Sequence, residues 1–315
     1  MSSNPLTIPI AFAFDNNLAQ PAAVCIYSLL ASARPETRYD IYILYPEKEP
    51  IDRTAIDRVI AANPRHSISY VAIGDDRFGH AYEIRGITTP AYYRLLIPEL
   101  LPQFDRVIYS DVDVIFRQDL SDLYRSTDMT DSYIAGVNDL AFIHEDLRRH
   151  YQNHLGLNPR QIVCSGFLIM NCEAIRRDGL VARFLEESKN DYKFQDQDIL
   201  NKVCEGHVLQ LPPKYSVLTY VTEGIVNRRQ QLLEIWSEKE LDEAETEGNV
   251  HYNGQKPWRD LCLNFDLWWQ YYRQSPIYDR RFYYDFYADR LNPLDRLSLK
   301  KRLKILARYF IYGKR

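Results

Sequence analysis

Two acidic residues at the end of an apolar run are the pair best suited to hold a cation. They are Asp111 and Asp113, within Arg106–Phe116. In an extended backbone, side chains two apart point the same way, so both carboxylates can face one point. Like charges so close resist burial unless a cation neutralises them, and a hard divalent ion that also grips phosphate oxygens does this. With 43 acids in the chain, an isolated Asp-x-Asp means little. This pair gains weight from its place at the mouth of a predicted strand. A second run, His251-Tyr252-Asn253-Gly254-Gln255-Lys256-Pro257-Trp258, offers an imidazole as a third ligand. A nitrogen donor beside two carboxylates favours Mn²⁺, with Mg²⁺ as the alternative. Gly254 permits close backbone approach, and Lys256 is a point charge suited to phosphate.

The elements that must position these groups alternate along the first 140 residues. Strands are expected at Ile8–Phe14, Asp40–Leu44, Ser67–Ile73 and Arg106–Ser110. Helices are expected at Pro21–Ala33, Ile51–Ala62 and Ala91–Ile97, the last stopped by Pro98. This alternation implies βαβ units and a parallel sheet, whose ligands bind beyond the carboxyl ends of its strands. Further apolar runs follow at Ile134–Val137 and Gln161–Met170, then helical patterns at Glu173–Ser188 and Gln197–Cys204. The Glu-rich stretch Gly224–Gly248 reads as a solvated excursion.

The composition is 46% hydrophobic and 26% charged over 315 residues, enough for a large core. The net charge of −4 excludes a whole-protein nucleic-acid binder. Five dispersed cysteines without a Cys-x-x-Cys pair predict neither a disulfide framework nor a structural zinc, and fit a reducing compartment. The apolar run Leu6–Phe14 lacks a preceding positive charge and reads as a strand rather than a leader. No run approaches the length of a transmembrane helix.

The end of the chain differs. Arg296–Arg315 holds eight Lys/Arg and no acid, while the preceding residues carry 43 acids against 31 basic residues. After the break at Asn292-Pro293, Leu299, Leu303, Leu306 and Phe310 recur at helical spacing, with Lys300, Lys301, Lys304 and Arg308 on other faces. A basic amphipathic helix with Tyr309 and Tyr312 near its end fits an anionic membrane surface; the alternative is that its apolar stripe packs on the body.

Taken in order, several stretches resemble the family 8 retaining glycosyltransferases, which include bacterial lipopolysaccharide galactosyl- and glucosyltransferases and glycogenin. The stretches are Ala13-Phe14-Asp15-Asn16-Asn17, Thr88-Thr89-Pro90-Ala91-Tyr92-Tyr93-Arg94, Ser110-Asp111-Val112-Asp113, Cys164-Ser165-Gly166, Gln195-Asp196-Gln197-Asp198 and His251–Trp258. The resemblance spans roughly residues 7 to 262. It implies an α/β GT-A fold: a Rossmann-like mixed sheet flanked by helices, with a C-terminal helical extension. The expected division is a catalytic domain over 1–262 and a basic, membrane-associating extension over 263–315. Within the catalytic domain, about 7–140 would bind the nucleotide sugar and about 141–262 would form the acceptor side.

The resemblance further implies a UDP-sugar donor and a metal held by Asp111, Asp113 and His251. Ala13, Asp15 and Asn17 would line the uridine pocket, Arg94 and Asp196 would contact the donor sugar, and Lys256 the diphosphate. Val112, Ser165, Gly166 and Gly254 complete the expected nucleotide-sugar contacts. Gln197 would lie beside the anomeric carbon and Asp139 near the acceptor. The implied reaction is retaining transfer of galactose or glucose to a glycan or glycolipid, on the cytoplasmic face of a membrane. Cys164 stands where many relatives have asparagine, and leaves the choice of sugar open. For single residues a plainer role competes: Asp15 as a helix cap, Arg94 as a surface ion pair, Asp196 and Asp198 as helix-start acids. Trp268, Trp269, Tyr271 and Tyr272 read as packing. The rival functions are a sugar nucleotidyltransferase and a silent UDP-sugar binder.

Overall fold

The computed structural model describes residues 6–74, 78, 89–291 and 297–313. Thr88, the Asn292-Pro293 break and the last two residues lie outside the described residues. Among the described residues there are ten strands: β1 (Leu6–Ala13), β2 (Thr37–Pro46), β3 (Ser67–Ile73), β4 (Arg106–Ser110), β5 (Val114–Ile115), β6 (Ile134–Asn138), β7 (Val163–Asn171), β8 (Val208–Leu211), β9 (Val217–Leu218) and β10 (Val250–His251). Seven of them form one sheet in the order β3-β2-β1-β4-β7-β6-β8.

The sheet is mixed rather than wholly parallel. β1 pairs parallel with β2 and β4, whereas β7 runs antiparallel to both β4 and β6. Parallel pairing needs a crossover, and the chain supplies helices for it on both faces. Alternate residues of the central strands therefore enter different cores. Ile8, Ile10, Phe12, Ile108, Phe167 and Ile169 join one apolar cluster; Ala11, Val107, Tyr109, Leu168 and Met170 join the other. The helix Ala19–Ala31 covers the first face with Ala22, Val24, Ile26 and Leu29. The second face is covered partly by Ile175, Phe184, Ile199 and Leu200.

Several local expectations are corrected. The stretch expected as a helix at Ala91–Ile97 is a 3₁₀ turn over Thr89–Leu96. Pro98 opens the short helix Ile97–Leu100 instead of stopping one, because the first helical turn needs no proline N–H. The run 173–188 is two helices, Cys172–Arg177 and Leu180–Glu187, separated by Gly179 at φ +65°. The Glu-rich stretch is no open excursion: it buries Leu232, Trp236, Leu241 and Ala244, and Ser237 and Glu240 form a reciprocal capping box on the helix Glu238–Glu247.

A second, three-stranded sheet, β5-β10-β9, sits beyond the end of β4. Its strands are two residues long, so no periodicity announces them. β10 pairs antiparallel with β5, placing His251 opposite Val114, and parallel with β9. Toward the C-terminus, the helix Phe265–Gln274 buries Trp268, Trp269 and Tyr272, as the packing reading expects. The Trp269 ring lies 4.4 Å from that of Phe286, and its indole N–H donates to Pro257 O at 3.0 Å. The helix Leu299–Tyr312 exposes Leu299, Leu303, Leu306, Tyr309 and Phe310, so its apolar stripe is not packed on the body.

Candidate active site

The strand order reverses between β1 and β4, and the candidate residues gather at the carboxyl ends of these two strands. Asp111 and Asp113 follow β4 in a bend rather than an extended strand, yet still converge on one point. One ligand atom from each of Asp111, Asp113 and His251 lies within 4.8 Å of the others. His251 Nε2 is 3.2 Å from Asp113 Oδ1 and 3.8 Å from Asp111 Oδ2. The β5–β10 ladder causes this meeting, and Tyr252 N donating to Asp113 O at 2.9 Å extends it.

The donor set fits a divalent cation. Asp113 Oδ1 is buried with no partner in good hydrogen-bond geometry, His251 Nε2 standing 3.2 Å away, so a cation between the two would satisfy it. The other oxygen of Asp111 is already committed, its Oδ1 accepting from Tyr109 Oη at 2.7 Å and Arg94 Nη2 at 2.9 Å. On the far ring edge of His251, Nδ1 meets Ser216 Oγ at 3.1 Å. With Ser216 accepting from Nδ1–H, loss of the Nε2 proton on metal binding would present the Nε2 lone pair to the ion. Gly166 walls the site: a Cβ there would lie 2.3 Å from His251 Cε1 and 2.6 Å from Asp111 Oδ2.

Lys256 Nζ stands 2.5 Å from Asp113 Oδ2 and 2.6 Å from Tyr252 O. Burial raises the Asp113 carboxyl, but Lys256 and His251 outweigh it and hold the group well below the usual carboxylate range. Burial disfavours charge on His251, yet Asp113 pushes it up to about 10.

Arg94 is no surface residue. It is buried, with Nη1 on Ser165 O at 2.7 Å and Oγ at 3.1 Å, Nε on Ala91 O, and its Nε 3.2 Å from Asp196 Oδ2. A buried guanidinium is tolerable only when paired, and here Asp111 and Asp196 flank it. Burial pushes the Asp196 carboxyl up, with Arg94 opposing.

Asp15 follows β1 and accepts from Asn17 N at 2.9 Å, so it caps the 3₁₀ turn Asn16–Leu18 rather than the helix Ala19–Ala31, whose N-cap is Leu18. Ala13 ends β1, and Asn17 is exposed at its mouth. The side chain of Val112 is buried in the core, leaving only its backbone for a ligand. A Cβ on Gly254 would meet only Thr219 Oγ1, at 4.0 Å, so protein packing does not require glycine there.

The acceptor-side candidates form a second knot. Gln197 Nε2 donates to Asp139 Oδ2 and to Tyr151 Oη, both at 2.9 Å, and its Oε1 accepts from Ser165 N at 3.1 Å. Burial, with Asp198 adding to it, pushes the Asp139 carboxyl up to about 7. Asp198 lies in the first turn of the helix Gln195–Val203, as the helix-start reading expects, and is buried there, paired with His150 Nε2 at 2.8 Å and accepting from Phe194 N. Two non-glycine residues beside these acids, Leu140 at φ +59° and Gln195 at φ +43°, hold left-handed backbone, the kind of strain that concentrates at functional sites.

Sequence reasoning missed Tyr109, Ser216, His150 and Tyr151. Tyr109 was readable, since it lies two residues before Asp111, and its hydroxyl reaches that carboxylate. The other three carry no local signal.

A profile of glycosyl transferase family 8 matches residues 9–262. The chain is 26% identical over 253 residues to general stress protein A of Bacillus subtilis strain 168, covering 78% of this chain and 85% of that protein. It is 23% identical over 290 residues to a lipopolysaccharide 1,2-glucosyltransferase of Escherichia coli, covering 86% and 79% respectively. Among solved structures it is similar to the galactosyltransferase LgtC in complex with donor and acceptor sugar analogs, with TM-score 0.70 and 23% identity over 87% of this chain and 99% of that one. The mixed sheet with its flanking helices is thus the GT-A architecture. With four-fifths of its length under the family profile, the chain belongs to glycosyl transferase family 8.

Proposed function

We propose that this protein transfers a hexose, galactose or glucose, from a UDP-sugar to a hydroxyl of a glycan or glycolipid with retention at the anomeric carbon. The observation that carries this reading is the meeting of Asp111, Asp113 and His251 at the β1/β4 switch, with Lys256 alongside. A divalent cation bound there, Mn²⁺ on the nitrogen-containing donor set with Mg²⁺ as the alternative, supplies electrostatic stabilisation of the departing diphosphate. Lys256 exchanges Asp113 for a diphosphate oxygen when donor binds. Arg94 holds Asp111 and Asp196 in register, so that Asp196 meets the donor sugar. Ala13, Asp15, Asn17 and the Val112 backbone receive the uridine, while Ser165, Gly166 and Gly254 leave room for the diphosphate and sugar.

Gln197 offers a neutral amide beside the anomeric carbon, which bears positive charge in the transition state. A diphosphate oxygen takes the acceptor's proton on the face that the leaving group leaves. Asp139 holds the acceptor side. Residues 1–262 form the catalytic domain, its acceptor side drawn from about 141–262, and 263–315 form the extension. The names of the E. coli glucosyltransferase and of LgtC support a hexose donor and lipopolysaccharide or a related surface glycan as product.

No described helix is long and apolar enough to cross a membrane. Leu299–Tyr312 instead presents an exposed apolar stripe among lysines and arginines, which supports peripheral binding to an anionic, cytoplasmic membrane face.

The test is release of UDP from UDP-galactose or UDP-glucose with Mn²⁺. Asp113→Asn and His251→Ala should abolish it, and full activity in either variant overturns the metal assignment. A sugar nucleotidyltransferase would instead make UDP-sugar from UTP and a sugar phosphate. A silent binder would retain UDP-sugar without releasing UDP.

A further inference from the structure

Gln197 is held on one side by Ser165 N and on the other by Asp139 and Tyr151. These partners fix which end of its amide is which. A backbone N–H can only donate, so the amide oxygen faces Ser165; an ionised carboxylate can only accept, so the amide nitrogen faces Asp139. The Tyr151 hydroxyl accepts a second bond from the same nitrogen at 2.9 Å, while its own proton is directed at Asp139 Oδ2 at 3.4 Å.

Tyr151 reaches Gln197 from an unusual element. Residues His150–Leu155 form a π-helical turn that ends at Gly156 with φ +72°. Such turns are rare and concentrate at functional sites. Here the turn presents consecutive side chains to one region: His150 to Asp198, and Tyr151 to Gln197, with its hydroxyl 3.4 Å from Asp139 Oδ2.

A third apolar cluster, separate from the two cores of the sheet, surrounds the ring of Tyr151. It comprises Ala141, Tyr151, Leu157 and Ile162, with Phe194 packed against it. Phe194 stacks on Tyr151 at 6.2 Å with planes 17° apart, and edge-on against His150 at 5.4 Å. Phe194 also immediately precedes the helix Gln195–Val203, which carries Gln197. The ring and the hydroxyl of Tyr151 thus brace the same turn from two sides.

We infer that Tyr151, presented by this π-helical turn and gripped by its own small core, is a positioning residue that fixes the side-chain amide of Gln197. The inference rests on the proposed place of Gln197 beside the reacting sugar. Tyr151→Phe removes only the hydroxyl and keeps the packed ring, so the variant tests the hydrogen bond rather than the fold.

With UDP-glucose and UDP-galactose as probes in Mn²⁺, Tyr151→Phe should lower kcat for UDP release about tenfold while changing KM less than about twofold. In the Gln197→Ala background the same change should have no further effect, since its action passes through Gln197. Additive losses, or an unchanged kcat in the single variant, overturn the inference. A second readout needs no activity: the side-chain amide protons of Gln197, labelled with ¹⁵N and identified by their loss in Gln197→Ala, should exchange with solvent faster in Tyr151→Phe. Unchanged exchange overturns the inference. Should the wild-type protein release no UDP from either sugar, the hexosyltransferase reading falls, and the exchange measurement alone decides the role of Tyr151.

Discussion

A Cβ built on Gly166 would stand 2.3 Å from Cε1 of His251, closer than any real carbon contact. Gly166 is on β7 and His251 on β10, in different sheets, so the glycine is the point at which the two sheets close on the acidic pair. Gly166→Ala should therefore push His251 off the two aspartates. The expected outcome is Mn²⁺ affinity reduced more than about tenfold, read by titration calorimetry. Unchanged affinity would show that His251 is not a ligand.

Ser216 touches only the far edge of the imidazole. Ser216→Ala leaves all three proposed ligands in place but frees the ring to rotate or change tautomer. Mn²⁺ binding should weaken about tenfold, the lower end of what such supporting partners contribute. The measurement is the same titration, and it separates ring orientation from ligand loss.

Asp139 gives a pH signature. Its carboxyl sits at about 7 in the folded protein against an ordinary value of 3.8, because burial disfavours its charge. Between these values the folded state holds a proton that the unfolded state has lost. The stabilising contribution is complete below about pH 4 and disappears as pH rises through about 7. Wild type minus Asp139→Asn stability should thus fall from about pH 4 to pH 7, by at most about 1.4 kcal/mol per pH unit. Paired urea melts across that range check it, and a flat difference would mean that Asp139 is ionised throughout.

The terminal helix makes a separable prediction. Its Leu299, Leu303 and Phe310 are largely exposed, so removing residues 295–315 should leave the melting temperature nearly unchanged. The same truncation should abolish co-sedimentation with vesicles rich in phosphatidylglycerol, while UDP release from a soluble donor persists. Full vesicle binding by the truncated chain would reject the tail as the membrane contact.

Trp269 tests the packing of the C-terminal aromatics. Buried among Trp268, Tyr272 and Phe286, it should cost about 3–5 kcal/mol when replaced by alanine, with no specific effect on donor KM.

The sequence by itself determined the elements whose signal is local. Ser67–Ile73 and Arg106–Ser110 coincide with β3 and β4: the first is a short edge strand of alternating exposure that buries only Ile73, and the second a short β-branched and aromatic run buried in the sheet. The aspartate pair was legible for the same reason: it ends such a strand. The His251–Trp258 run was legible by composition and family resemblance, but not its destination. Only tertiary structure decided that His251 meets Asp113, since the pairing of Val250–His251 with Val114–Ile115 involves strands too short to leave a period. The antiparallel direction of β7, the support of Ser216 and the π-helical turn that delivers Tyr151 belong to the same class. Each is a contact between distant segments, whose free energy comes from burial and partner satisfaction in the finished fold rather than from any preference of the residues along the chain.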